Sequence, residues 1–139
     1  MADRTRSPMP GEILGPLEVL VSAERVRAYA EASGDHNPIH LDPAFAAGTH
    51  FGGAIAHGML LLAYLSRLMS GRFGRAWVEN GSLDARFRGP AMVGAPVRVL
   101  GSVQSVAEAP EGLLVQCALR CEDENGHILV QAAARVLIA

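Results

Sequence analysis

The sequence predicts an α+β fold in which helices come first and strands follow. Before Gly74, apolar residues recur at helical spacing, whereas after Gly74 they alternate with polar residues. Between these parts, residues 59–69 (MLLLAYLSRLM) are apolar on nearly every face. A helix of that kind is expected to be buried on all sides. An antiparallel sheet curved around this long central helix would bury it.

Residues 1–139 are assigned to a single domain. Residues 1–12 are rich in proline and charged residues and are expected to form a loose lead-in. Ser22 is the expected N-cap of the first helix, which ends near Gly34. A second, short helix is expected with Asp42 as its cap and Gly48 just past its end.

Five strands are predicted after Gly74 from the alternation of apolar and polar residues. They span residues 76–80, 82–88, 97–106, 113–122 and 127–138. The sequence Asp-Glu-Asn-Gly at residues 123–126 is a strong signal for a hairpin between the last two strands.

Charge and hydropathy exclude several classes of function. The net charge is -2 and the isoelectric point is about 6.2, which gives no basic surface for nucleic acid. No apolar run approaches the roughly 20 residues that cross a bilayer, and the first residues lack the apolar core of a secretory signal. We therefore expect neither a nucleic-acid nor a membrane partner.

The cysteine pattern favours a reducing compartment and no metal. Cys117 and Cys121 lie four residues apart in a predicted strand, about 13 Å, which is too far for a disulfide. The pair has no CxxC spacing, and the one HxxxH spacing of the chain, His36 to His40, lies far from it in the sequence. A cytoplasmic protein with free thiols and no metal site is the expectation.

The most informative segment is YAEASGDHNPIHLD, residues 29–42, which holds Asp35 and His40 five residues apart. In a continuous helix this spacing is about 500° of rotation, so the two side chains would diverge. The helix cannot continue, because Asn37 precedes Pro38 and is excluded from the helical region. A turned backbone brings the acid and the imidazole together, as a general acid/base site requires.

Three segments carry a resemblance to a known family: SGDHNPIHLDPAFA (33–46), AHGML (56–60) and ARFRGPAMVGAPV (85–97). Together they resemble the MaoC-like dehydratase and (R)-specific enoyl-CoA hydratase family. The resemblance implies a hot-dog fold, in which the sheet wraps around the central helix. It also implies a homodimer, with a higher oligomer or a heterodimer as alternatives. It implies no cofactor, since coenzyme A or an acyl carrier protein (ACP) only carries the substrate.

The resemblance also implies roles for individual residues. Asp35 and His40 would flank the water that adds to a trans-2-enoyl thioester, and the backbone N–H of Gly58 would hold the thioester oxygen. Ser66 occupies a position that lines the site in some members. Taken alone, Asp35 is more often a turn or cap residue and His40 more often a packed histidine. Ser66 in a buried helix most often donates to the carbonyl of Leu62.

Other polar residues near these segments have two readings each. Asn37 either lines the substrate site or holds the loop through bonds to neighbouring backbone groups. His57 either lines the substrate site or structures the start of the central helix. Arg86 and Arg88 fit coenzyme A phosphates, but a solvated strand face explains them equally well.

The sequence therefore predicts a hydro-lyase that interconverts trans-2-enoyl and (R)-3-hydroxyacyl thioesters, with coenzyme A as the carrier. A 3-hydroxyacyl-ACP dehydratase is the alternative reading. A hot-dog thioesterase and a non-catalytic hot-dog subunit are weaker alternatives, because the intact Asp35 and His40 pair argues against both.

Overall fold

A computed structural model describes residues 4–139. In chain order the elements are β1 (Ile13–Leu20), α1 (Ala23–Ser33), α2 (Pro38–Leu41), α3 (Pro43–Ala47), α4 (Gly58–Phe73), α5 (Arg75–Asn80), β2 (Ser82–Phe87), β3 (Pro96–Ala109), β4 (Gly112–Asp123) and β5 (Ile128–Ile138). The strands form one five-stranded sheet in the order β1-β3-β4-β5-β2, and every neighbouring pair is antiparallel. The predicted α+β hot-dog fold is confirmed.

The central helix α4 packs against the sheet and contacts β1, β3, β4 and β5. Its side chains Leu61, Leu65 and Met69 are fully buried. They lie in one hydrophobic core with buried valines of the strands, among them Val99 and Val115. Alternate residues share one face of a strand, so β3, β4 and β5 each present an apolar row to the core.

Burial of α4 is not complete, which corrects the expectation of a helix covered on all sides. Met59 is 58% exposed, and Ala63 and Arg67 are also exposed. The sheet covers one side of the helix only. The opposite face is met by α1 and α5, which leave an open cavity between them.

The predicted helix ends are confirmed. The Ser22 hydroxyl accepts a hydrogen bond from the N–H of Arg25, and Gly34 ends α1 with a φ of 78°. The Asp42 carboxylate accepts from two N–H groups in the first turn of α3, and Gly48 is the C-cap. These residues fix the two ends of the loop that carries Asp35 and His40.

The strand predicted at residues 76–80 is wrong, because this segment is the helix α5. Trp77 is buried and the neighbouring Val78 is 77% exposed. So short a run cannot distinguish the helical period from the alternation of a strand.

The sequence contains no clear strand signal for β1. Gly15 and Pro16 interrupt its alternation, and its register against β3 shifts between Leu14 and Leu17.

Residues near the end of the expected lead-in are attached to the domain. The N–H of Gly11 donates to the carbonyl of Val103 at 2.8 Å. Glu12 bonds the buried Arg72 of α4, with 2.6 Å between Nε and Oε2, and Arg72 also donates to the carbonyl of Arg6. The hydrogen bond from Arg72 holds the pKa of Glu12 below its usual value. Residues 1–3 lie outside the described part.

Every helix of residues 4–139 is too short or too polar to cross a membrane.

Candidate active site

The loop between α1 and α3 is folded by its own side chains. The Asp35 carboxylate accepts from the N–H of Asn37 at 3.2 Å, and the Asn37 side-chain oxygen accepts from the N–H of Ile39 at 3.0 Å. Asn37 is therefore the N-cap of α2, whose first residue is Pro38. This short helix carries His40 back toward Asp35.

A backbone carbonyl fixes the orientation of His40. Its Nδ1 lies 2.6 Å from the carbonyl oxygen of Ile55. Because a carbonyl oxygen only accepts, Nδ1 carries the hydrogen and Nε2 of the neutral ring keeps the free lone pair. His40 is half-buried, and Nε2 is the ring nitrogen left to accept a proton.

His57 connects the two residues. It is 2% exposed, and its Nε2 donates to the backbone carbonyl of Asp35 at 2.9 Å. Its ring stacks on His40 with 3.9 Å between centroids and lies 4.8 Å from the ring of Tyr29. Asp35, His40 and His57 thus each place a polar atom within 4.8 Å of the others.

Gly58 is the first residue of α4, directly after His57. Within residues 4–139, no side chain caps this helix end. The N–H of Leu60 donates to the carbonyl of His57 at 3.1 Å, which leaves the N–H groups of Gly58 and Met59 for a ligand. A cavity of about 430 Å³ opens beside it, and its lining includes Phe51, Ile55, Phe87 and Arg88. A Cβ at position 58 would lie 2.9 Å from Cε1 of the Phe87 ring.

Ser66 lies away from this cluster. Eight residues of helix separate it from Gly58, a rise of about 12 Å. Its hydroxyl accepts a hydrogen bond from the indole N–H of Trp77 at 2.9 Å. It lines a second cavity, of about 610 Å³, together with Trp77 and Tyr29.

The two arginines of the β2 region differ in position. Arg88 is exposed and lines the cavity beside Gly58. Arg86 is an exposed residue of β2, at the edge of the sheet.

Sequence reasoning missed three aromatic residues around the site. No sequence motif gives Tyr29 a role at the site, yet its ring contacts that of His57. Trp77 and Phe87 were placed in strands without a role. The sequence has one signal for Trp77, the glycine that follows it four residues later at position 81. In the structure this glycine leaves room for the indole, because a Cβ there would lie 2.3 Å from it.

The three polar residues of the cluster also belong to types that bind metal ions. Their geometry does not favour one. The two imidazole rings are stacked with 27° between their planes, and a lone pair lies in the plane of its ring, so stacked rings do not direct their nitrogens at a common point. Nδ1 of His57 is buried and has no partner within the described residues.

The arrangement provides two kinds of chemistry side by side. A carboxylate and an imidazole can take up and return a proton, typically worth about 10²–10⁴-fold in rate. The N-terminus of α4 carries roughly half a positive charge and can stabilise a developing oxyanion. Proton transfer next to a carbonyl group combines these two functions.

Comparison with known proteins agrees with this chemistry. The chain matches the MaoC like domain family over residues 7–117. A mitochondrial 3-hydroxyacyl-(acyl-carrier-protein) dehydratase of Arabidopsis thaliana is 34% identical over 122 residues, which cover 86% of this chain and 70% of that protein. The 3-hydroxyacyl-thioester dehydratase Z of Mycobacterium tuberculosis is 36% identical over 107 residues, covering 73% and 71%.

A solved structure gives the same result for the fold. An (R)-hydratase from A. caviae involved in PHA biosynthesis superposes with a TM-score of 0.85 and 30% identity, covering 96% of this chain and 99% of that one. From the family match, the identities and the superposition, we conclude that the chain belongs to the MaoC-like domain family.

Proposed function

We propose that this protein is a hydro-lyase that adds water to a trans-2-enoyl thioester and removes it from the (R)-3-hydroxyacyl thioester. The observation that carries the proposal is the contact of the Asp35 and His40 loop with His57, the residue before the free N-terminus of α4. The relatives named as dehydratases and hydratases support the same reaction.

In the proposed mechanism, the thioester oxygen accepts a hydrogen bond from the N–H of Gly58. Water adds to the β-carbon while Asp35 and His40 together take its proton and deliver one to the α-carbon. The two groups act as one coupled pair, so their protonation steps belong to the pair. The enolate oxygen formed on the way is stabilised at the helix N-terminus, typically by about 3 kcal/mol for one such donor.

The test follows the loss of the conjugated enoyl-thioester absorbance. We expect Asp35→Asn and His40→Ala each to lower kcat by about 10²–10⁴-fold. His36→Ala is the matched control, because His36 is an exposed histidine of the same loop that bonds Glu31 instead. Circular dichroism checks that all variants fold, and full activity in either site variant would contradict the assignment.

The carrier of the acyl group is a separate part of the proposal. Coenzyme A is our first choice, since the exposed Arg88 lines the cavity beside Gly58 and can meet a phosphate. An ACP thioester is the second, because one relative carries that carrier in its name. Rates on the two thioesters decide between them. Release of free thiol without hydration would identify a thioesterase.

We also propose a homodimer formed through β2. This strand pairs only with β5 in the sheet order, so its other edge is open among residues 4–139. Phe87 on β2 and Val78 just before it are exposed apolar residues. An open edge with apolar neighbours favours pairing with a second copy.

We propose a cytoplasmic location for this protein. Both cysteines are free and buried, and burial raises the pKa of each thiol to about 12, which keeps them protonated and unreactive.

No cofactor and no metal enter the proposed reaction, so activity is expected to survive dialysis against a chelator. A loss that added Zn²⁺ restores would overturn the metal-free mechanism.

A further inference from the structure

His57 is a buried titratable residue that stands in the N-cap position of α4. N-cap residues that stabilise a helix, such as serine, asparagine and aspartate, accept a hydrogen bond from an N–H of the first turn. Ser22 and Asp42 do so for α1 and α3. The His57 side chain makes no such bond, and its Nδ1 is buried without a partner within residues 4–139. Stabilisation of the helix therefore does not explain a histidine at this position.

The His57 ring instead contacts both residues of the proposed acid/base pair. Its Nε2 donates to the backbone carbonyl of Asp35 at 2.9 Å. Its face stacks on the His40 ring, with 3.9 Å between the centroids and 27° between the planes. Because a carbonyl oxygen only accepts, the neutral His57 ring carries its hydrogen on Nε2 and its lone pair on Nδ1. One side chain thus contacts both ends of the loop.

The two ends of the loop depend on His57 to different degrees. The His40 end is also joined to Ile55 by two hydrogen bonds, of 2.6 and 3.2 Å. In the described chain, the other hydrogen bonds of Asp35 stay inside the loop and do not fix it relative to α4. The bond from His57 therefore sets the position of Asp35 relative to Gly58.

A capping side chain at position 57 would interfere with the proposed chemistry. It would accept from the N–H of Met59 or Leu60, the second and third residues of α4. The N–H of Met59 is one of the donors left for a thioester oxygen, and an aspartate cap would also repel the developing enolate. A histidine that is turned toward Asp35 leaves these donors free.

We propose that His57 is a positioning residue, which aligns Asp35 and His40 with the uncapped N-terminus of α4. The proposal rests on the hydro-lyase function proposed above and deepens it. His57 exchanges no proton with the substrate and acts through the two groups that do. Displacement of such groups by about 1 Å costs about 10²-fold in rate.

Glutamine and asparagine at position 57 separate positioning from helix capping. The amide nitrogen of glutamine reaches about as far as Nε2 of histidine and can donate to the Asp35 carbonyl. Asparagine is one methylene shorter and cannot reach that carbonyl, but it is a good N-cap. For crotonyl-CoA hydration, we expect kcat to fall by about tenfold in His57→Gln and by about 10²-fold in His57→Asn. KM should change little, because contacts with the bound substrate remain.

Thermal unfolding of the same variants distinguishes positioning from a purely structural role. We expect the Tm of His57→Asn to be at least that of His57→Gln, because asparagine gains a cap. His127→Asn is the control, since His127 is an exposed histidine of the hairpin between β4 and β5 that pairs with Asp123. It should keep the kcat of the wild type. Values of kcat that follow Tm across His57→Gln and His57→Asn would overturn the proposal.

Nitrogen NMR of the wild type gives a readout that needs neither activity nor a folded variant. Measured on the neutral rings, the stacked pair should show opposite tautomers, Nδ1–H in His40 and Nε2–H in His57. Nδ1 of His57 should have the shift of a nitrogen without a hydrogen-bond partner. A hydrogen on Nδ1 of the neutral His57 ring would overturn the proposal, because Nε2 could then not donate to Asp35.

The positioning role and the hydro-lyase function can fail separately. If the wild type hydrates no enoyl thioester, the function is wrong, and the tautomer of His57 still decides whether this residue holds Asp35. If the wild type hydrates crotonyl-CoA and His57→Asn is equally active, the function stands and the positioning role is wrong.

Discussion

At the scale of single residues, the space around Gly58 is the most restrictive part of the site. A Cβ at this position would lie 2.9 Å from Cε1 of Phe87, whose ring is largely exposed and can move. Gly58→Ala should therefore fold. We expect it to lower kcat by about 10²-fold, because the methyl group occupies the approach of the thioester oxygen to the helix N-terminus.

A double variant separates two causes of that loss. In Gly58→Ala with Phe87→Ala, the contact between the methyl group and the ring no longer exists. Activity should stay low if the methyl group itself keeps the thioester away. Recovery to the level of Phe87→Ala alone would show that displacement of the ring caused the loss, and would argue against an oxygen bound at Gly58.

Sequence motifs assign Asp35, His40 and Gly58 to one candidate site because each stands at a fixed place relative to a proline, a glycine or a helix start. The connection made by His57 was not predictable. It depends on a contact between residues 22 positions apart, from the Nε2 of His57 to the carbonyl of Asp35. Local spacing carries no information about such a contact.

At the scale of elements, the pair formed by Glu12 and Arg72 joins the start of the chain to the last turn of α4. The pKa of Glu12 is lowered in the folded protein by the Arg72 hydrogen bond. The stabilisation is therefore present above the ordinary carboxyl value of 4.5 and is lost as the pH falls through the lower, folded value.

Glu12→Gln tests this pair. We expect the variant to lose about 3 kcal/mol of unfolding free energy near neutral pH, because Arg72 stays buried without its counter-charge. Urea titrations at several pH values should show a smaller decline toward acid than in the wild type. An identical decline in both proteins would mean that other carboxyl groups control acid unfolding.

The elements were predicted where several independent signals agreed. α4 has a long apolar run, and β4 and β5 have a turn signal between alternating segments. α5 and β1 lacked such agreement. Six residues of α5 span less than two turns, and the Gly15–Pro16 step breaks the alternation of β1. Tertiary contacts, not local pattern, determine both elements.

At the scale of the whole molecule, the sequence of β2 is self-complementary. In an antiparallel pair of β2 strands with a two-fold axis at Ala85, Asp84 would face the partner copy of Arg86, and Leu83 the partner copy of Phe87. Both charged residues are exposed, so neither is needed for the fold of one copy.

Charge reversal tests this register. Asp84→Arg or Arg86→Asp alone would place like charges opposite each other twice and should weaken dimerisation by about tenfold or more. The double variant restores opposite charges and should dimerise like the wild type. Sedimentation velocity measures all four proteins at equal concentration, and single variants that dimerise as tightly as the wild type would exclude the proposed register.

The position of α4 has a consequence for how this site can change. Its first residue belongs to the proposed catalytic centre, and Arg72 near its end anchors the start of the chain. Inserting one residue would advance the helix by about 1.5 Å and turn it by about 100°, which disturbs both together. New substrate preferences are therefore expected to arise by substitution in neighbouring elements, while α4 keeps its length.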